Sequence, residues 1–138
     1  MTRSLTSSYP ALHLRHGRAA LIALWAIQLA VAGMFLFAGS LKLAGAPLMV
    51  ATFDTIGIGQ WFRYLTGGIE VVSGAALLVP SLAPFGALLL VPTMVGAIAT
   101  HVFIVGGSPL AAILLLIGSL VIVWARRNQL TRAFSALR

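Results

Sequence analysis

Cysteine is missing from all 138 residues, and only two side chains carry a negative charge, Asp54 and Glu70. Without a thiol the chain forms no disulfide, ligates no iron–sulfur cluster and runs no dithiol redox cycle of its own. Charge of either sign is scarce: nine Lys plus Arg and two acids make up 8% of the residues, where a soluble domain carries about 25%. Histidine is nearly as rare. Of the three, only His101 falls inside an apolar run, so the chain has no facing pair of axial haem ligands. Glu70 with His101 supplies at most two of the roughly three protein ligands that a catalytic zinc needs, and no metal is expected. Gly67-Gly68 and Gly106-Gly107 lack the rest of any phosphate-cradling loop. What the sequence has in quantity is hydrocarbon: 60% of the residues are apolar and the mean hydropathy is +1.05. Such a chain cannot cover a water-facing surface with polar groups, which assigns it to a lipid bilayer as one domain.

Four apolar stretches stand out, at about 19–42, 61–80, 84–105 and 109–125. Ala19 to Leu41 is 23 residues without a formal charge, roughly 34 Å of helix for a hydrocarbon core of about 30 Å. The second stretch is interrupted by Arg63 near its start and Glu70 well inside, but Trp61, Phe62 and Tyr64 form an interfacial aromatic cluster. Pro92 is expected to kink the third helix, and Ser108 with Pro109 reads as the N-cap and first residue of the fourth. The runs are continuously apolar and do not alternate with period two, which excludes a β-barrel. The fold expected is therefore all-α, a membrane-embedded four-helix bundle of antiparallel, up-down topology, with very short connections at 81–83 and 106–108. Ala30-Val31-Ala32 has the small-x-small pattern of a signal cleavage site, but the apolar run continues nine residues further, beyond a signal segment of about 7–15 residues. The first span is expected to be retained.

Arg3, Arg15 and Arg18 lie in the segment 1–18, ahead of the first span, and Arg126, Arg127, Arg132 and Arg138 follow the fourth, placing seven of the nine basic residues on one side of the domain 19–126. The positive-inside rule puts both termini, including the basic tail 127–138, in the cytoplasm, and the long loop from Leu43 to Gln60 outside. A pI near 11.8 arises from these juxtamembrane clusters and not from a nucleic-acid-binding face, so the bilayer is the expected partner and nucleic acid is not.

Ionisable groups at membrane depth cost about 2.5–3.5 kcal/mol on insertion scales and call for a reason. Glu70 lies about nine residues from Trp61, roughly 13 Å below the outer interface. It is either protonated or paired with a cation. Lys42 at the end of the first span, Arg63 and His101 are its candidate partners, all in the outer half. Gln28, Phe35 and Lys42 are spaced by sevens, as are Arg63 and Glu70, with Gly67 and Gly74 on the same stripe, and Met94, Ala97 or Ile98, and His101 form a comparable line. Gln28, about 21 Å below Lys42, is a separate inner-half group and a secondary candidate, as is interfacial Tyr64. Each residue has a plainer reading: Glu70 a structural clamp satisfied by Lys42 or Arg63, His101 a helix-end cap, Gln28 an interhelical hydrogen bond, Asp54 a solvated or loop-capping acid, and Trp25, Trp61 and Trp124 interfacial anchors.

Phe37-Ala38-Gly39-Ser40-Leu41-Lys42-Leu43 closes the first span, Gly67-Gly68-Ile69-Glu70 is followed by Gly74 and Leu77-Leu78 in the second, and the third carries Met94, Ala97 and His101. In order and in helix these resemble the glycine-x-x-lysine, glycine-x-x-glutamate and late histidine of the DoxX family, over about residues 20–126. The resemblance implies a bacterial-type inner (plasma) membrane protein with four spans and carries over Lys42, Glu70 and His101. Because the family is named for a subunit of a thiosulfate:quinone oxidoreductase, it also implies membrane redox association and a quinone as the candidate cofactor.

Three functions follow as expectations. The leading one is an accessory subunit whose outer-half pocket of Lys42, Glu70 and His101 binds a quinone-like, lipid-soluble molecule, two donors and a proton-handling carboxyl converging on an apolar cleft. The second is a membrane subunit of a thiosulfate:quinone-type oxidoreductase. The third is a small proton-coupled transporter with Glu70 as carrier, which would need a homo-oligomer to make room for alternating access. No catalytic residue is assigned, and electron transfer would need a redox partner protein or the bound quinone.

Overall fold

The computed structural model describes residues 11–136, with side chains from Gly17 onward. Arg3, the Arg15 side chain and Arg138, all used above to orient the chain, lie outside the described residues. Within them the chain forms six helices and no strand: α1 (Ala11–Ala44), α2 (Pro47–Ile56), α3 (Gln60–Leu77), α4 (Ala83–Thr100), α5 (Leu110–Ala125) and α6 (Arg127–Ser135). A π-helical turn, His101–Val105, continues α4.

α1 packs most extensively on α3, and the circuit closes through the contacts of α3 with α4, of α4 with α5 and of α5 with α1. Phe35, Leu77, Leu90, Met94 and Ile122 fill the space they enclose. The outside is apolar as well. Ile22, Phe37, Val72, Val95, Phe103 and Leu114 are all exposed, a surface that water would not tolerate at this density and that hydrocarbon would. Among the described residues two helices are long and apolar enough to cross a membrane, Gly17–Ala44 with 28 residues and Ala83–Val105 with 23. Leu110–Ala125 joins them if it is taken with Arg127–Ser135 as one broken span bent by 57°. α3, which carries both Arg63 and Glu70, is the least apolar of the helices in the circuit.

Small residues let α1 and α3 touch along their backbones, as the Gly39, Gly67 and Gly74 stripe predicts. A Cβ on Gly39 would lie 2.9 Å from the carbonyl oxygen of Gly67, and one on Gly74 would lie 3.2 Å from that of Ala32. Gly86 of α4 sits as tightly on α3, where a Cβ would be 2.7 Å from Ser73 O. This is the packing of a helix pair held by van der Waals contact in the absence of bulk water.

Four sequence expectations change in detail. The segment 43–60 is not a loop: Pro47 starts α2 at its first turn, and Gly57, with φ 80°, stops it by donating its N–H to Phe53 O. Gly and Pro punctuate 45–59 so densely that ten helical residues between them read as loop. Phe53 anchors α2 on α3 through the Phe62 ring, 5.9 Å away between centroids. The second helix is Gln60–Leu77 and ends before Pro80. α5 starts at Leu110, one residue later than expected, with Ser108 Oγ accepting its N–H at 3.3 Å. The tail after Arg126 is helix α6.

Candidate functional site

Lys42 and Glu70 each follow a contact glycine by three residues, Gly39 on α1 and Gly67 on α3, so the backbone contact carries both side chains to the same seam. There Lys42 Nζ donates to Glu70 Oε2 at 2.6 Å. The Glu70 side chain is 3% exposed and that of Lys42 16%. Of the alternatives open to an acid at this depth, the structure has the cation.

About two turns of α3 towards α2 the same seam continues. Arg63 is buried and donates through Nη1 to the carbonyl of Lys42 in the last turn of α1, which also accepts the Gly45 N–H at 3.3 Å. Its Nε donates to Gln60 Oε1 at 2.6 Å, and its guanidinium stacks 4.2 Å from the centre of the Tyr64 ring. Gln60 passes the network on, donating through Nε2 to Asp54 Oδ1 at 2.7 Å and to Val50 O at 3.0 Å. Gly45, at φ 71°, turns the chain out of α1 beside this cluster, and a Cβ there would sit 3.7 Å from Arg63 Nη1. Only glycine makes that turn without strain. Asp54, expected as a solvated or capping acid, therefore ties α2 to α3 through Gln60.

His101 opens the π-helical turn, which lies against α2 at this same end of the molecule. Its Nδ1 shares a hydrogen bond with Gly106 O at 3.2 Å. Among the described residues the structure thus joins Lys42, Glu70 and Arg63 in one cluster, while the polar contact of His101 is with its own turn. Tyr64 enters through its stacked ring.

A second polar cluster sits at the α6 end. Gln28 is fully buried, donates through Nε2 to Leu77 O and accepts at Oε1 from Arg126 Nε at 3.0 Å. Arg126, 8% exposed, also donates through Nη1 to Pro80 O at 3.3 Å and lies 5.7 Å from the Trp25 ring centre. Gln28 is the interhelical link expected of it. Arg126 was counted in the sequence only for its charge. The signal that marks it is the spacing of Ala112, Ser119, Ile122 and Arg126, by seven, three and four, along the buried face of α5.

Between α3 and α4 runs an open apolar groove of about 380 Å³, lined by Tyr64, Gly68, Val72, Ser73 and Leu89 among others. Ser73 Oγ is buried there without a hydrogen-bond partner.

The family model described as the DoxX-like family matches residues 26–126, a stretch that includes Lys42, Arg63, Glu70, His101 and Arg126. The chain belongs to the DoxX-like family and, with its apolar helices, is a membrane protein. Neither a curated protein nor a solved structure matches it.

Proposed function

We propose that this protein is a multi-pass inner-membrane protein, with α1, α3, α4 and α5 as an antiparallel four-helix bundle and both termini in the cytoplasm. In this reading it is an accessory subunit that holds a quinone-like molecule beside Lys42 and Glu70. Support for α3 as a span comes from where its charges go. Glu70 meets Lys42, and Arg63 meets Gln60 and a backbone carbonyl, leaving Leu65, Val72 and Ala75 as the exposed side of the helix.

The observation that carries the ligand reading is the Lys42–Glu70 pair itself. An ammonium has three N–H donors, and Lys42 uses one on Glu70. Its partial exposure leaves the others free to meet the carbonyl of a lipid-soluble ring, with a carboxylate alongside to accept the proton that the reduced ring releases on reoxidation and, once protonated, to return it on reduction. The electrons would come from a redox partner protein, since the chain has no thiol. The test is to purify the protein in mild detergent, extract it with organic solvent and identify quinones by mass spectrometry, alongside Lys42→Ala. A quinone retained in stoichiometric amount by the wild type and depleted in the variant is the expected result. An extract rich in phospholipid but free of quinone would overturn the reading.

A further inference from the structure

We propose that the α6 end of the molecule is a docking surface for anionic lipid headgroups, whose phosphodiesters are held by Arg126, Arg127 and Arg132. Counter-charge is the starting point. The chain has two acids, and both are engaged at the opposite end, Glu70 by Lys42 and Asp54 by Gln60. No acidic side chain is left for the arginines of α6 and its approach.

Arg126 makes the need specific. Its guanidinium is buried, yet every partner that the described residues give it is neutral: the Gln28 amide, the Pro80 carbonyl and the face of Trp25. Those hydrogen bonds use Nε and Nη1. A guanidinium has five N–H donors in a planar fork, which leaves Nη2 for an acceptor outside the protein. A buried cation without an anion is costly, and a phosphate at the same end removes the cost.

The shape of α6 points the same way. It turns 57° from the axis of α5 and packs back on α4, which lays it across the end of the helices instead of extending them. Leu130 and Ala133 are half-buried, while Phe134, Arg127 and Arg132 are exposed. Arg127 stacks on exposed Trp124, 4.6 Å from the ring centre, and donates to Trp124 O at 2.8 Å. A basic amphipathic helix with an aromatic at its root suits the boundary between acyl chains and anionic headgroups.

This inference rests on the membrane reading of the chain, and the two fail differently. Full-length protein carrying Trp61→Phe, which removes the exposed tryptophan of the α2 end, is reconstituted in phosphatidylcholine vesicles containing increasing fractions of brominated phosphatidylglycerol or, in parallel, brominated phosphatidylcholine, so that tryptophan quenching reports the relative occupancy next to Trp25 and Trp124. Phosphatidylglycerol is expected to win at the wild-type surface by about fivefold per contributing arginine, and added salt should reduce the advantage. Arg127→Gln/Arg132→Gln, which alters only exposed side chains, is expected to lose most of it while keeping the wild-type circular dichroism. Equal quenching by both lipids, or a preference untouched in the double variant, would overturn the proposal. So would abolition of the preference by millimolar inorganic phosphate, which would assign the site to a soluble anion. Failure of the membrane reading would appear earlier, as protein washed from the vesicles by alkaline carbonate.

Discussion

Lys42 and Glu70 each lose their counter-charge when the other is replaced, and Glu70, only 3% exposed in the seam between α1 and α3, cannot turn to bulk water. Lys42→Met and Glu70→Leu are each expected to destabilise the protein by about 3–5 kcal/mol, because each leaves an uncompensated charge in a low-dielectric site. The double replacement removes both charges and is expected to cost clearly less than the sum, measured as thermal unfolding in detergent; strict additivity would mean that the pair is not coupled. Ser73 gives the opposite case. Its hydroxyl is buried without a partner, so Ser73→Ala is expected to be neutral or to stabilise by up to about 1 kcal/mol in the same assay. A loss of more than that would mean that Ser73 Oγ has a partner. Gln28 is the residue where loss propagates furthest. Gln28→Leu strips acceptors or donors from both Leu77 O and Arg126 Nε at once, and a drop of at least about 2 kcal/mol is expected.

At the scale of elements the contrast lies among the glycines. A Cβ on Gly39 would press on the Gly67 carbonyl and the Glu70 Cβ, backbone and near-backbone atoms that cannot swing aside. Gly39→Ala is therefore expected to force α1 and α3 apart, with a loss of about 1–3 kcal/mol and a loosened Lys42–Glu70 pair. Gly96, inside α4, has nothing within 4 Å of a Cβ. Gly96→Ala adds only helix propensity, with an expected gain of about 0.5–1 kcal/mol. If the two variants shifted stability in the same direction, the close approach of α1 and α3 would not be what distinguishes them. The faces that carry Lys42 on α1 and Glu70 with Gly67 and Gly74 on α3 were each legible from spacings of three, four and seven. α2 was not legible, because its terminators, Pro47 and Gly57, are the residues that also mark loops.

For the whole molecule the division of charge sets the orientation. The two acids, Lys42 and Arg63 gather at the α2 end, and Arg126, Arg127 and Arg132 at the α6 end. With the positive-inside rule, this predicts α6 in the cytoplasm and α2 outside. A reporter enzyme active only after export is expected to be silent when fused after Ala136 and active when inserted at Gly57. An exported α6 would reverse the topology and remove the setting in which Arg126 faces the anionic cytoplasmic leaflet.

By itself the sequence determined the solvent, the helix class and the polar face of α3. Composition and unbroken apolar runs leave no water-soluble solution, and a period near seven writes the buried stripe of a helix directly into residue spacing. The tertiary structure decided which polar groups meet. Glu70 had three possible partners at similar depth, Lys42, Arg63 and His101, and only the approach of Gly39 to Gly67 selected Lys42, because hydrogen bonding needs contact to within a few ångströms and helical rise fixes depth but not azimuth between helices. The same limit hid the meeting of Gln28 with Arg126, 98 residues apart in the chain, and the turning of His101 to Gly106, a contact set by a π-helical turn that no periodicity announces.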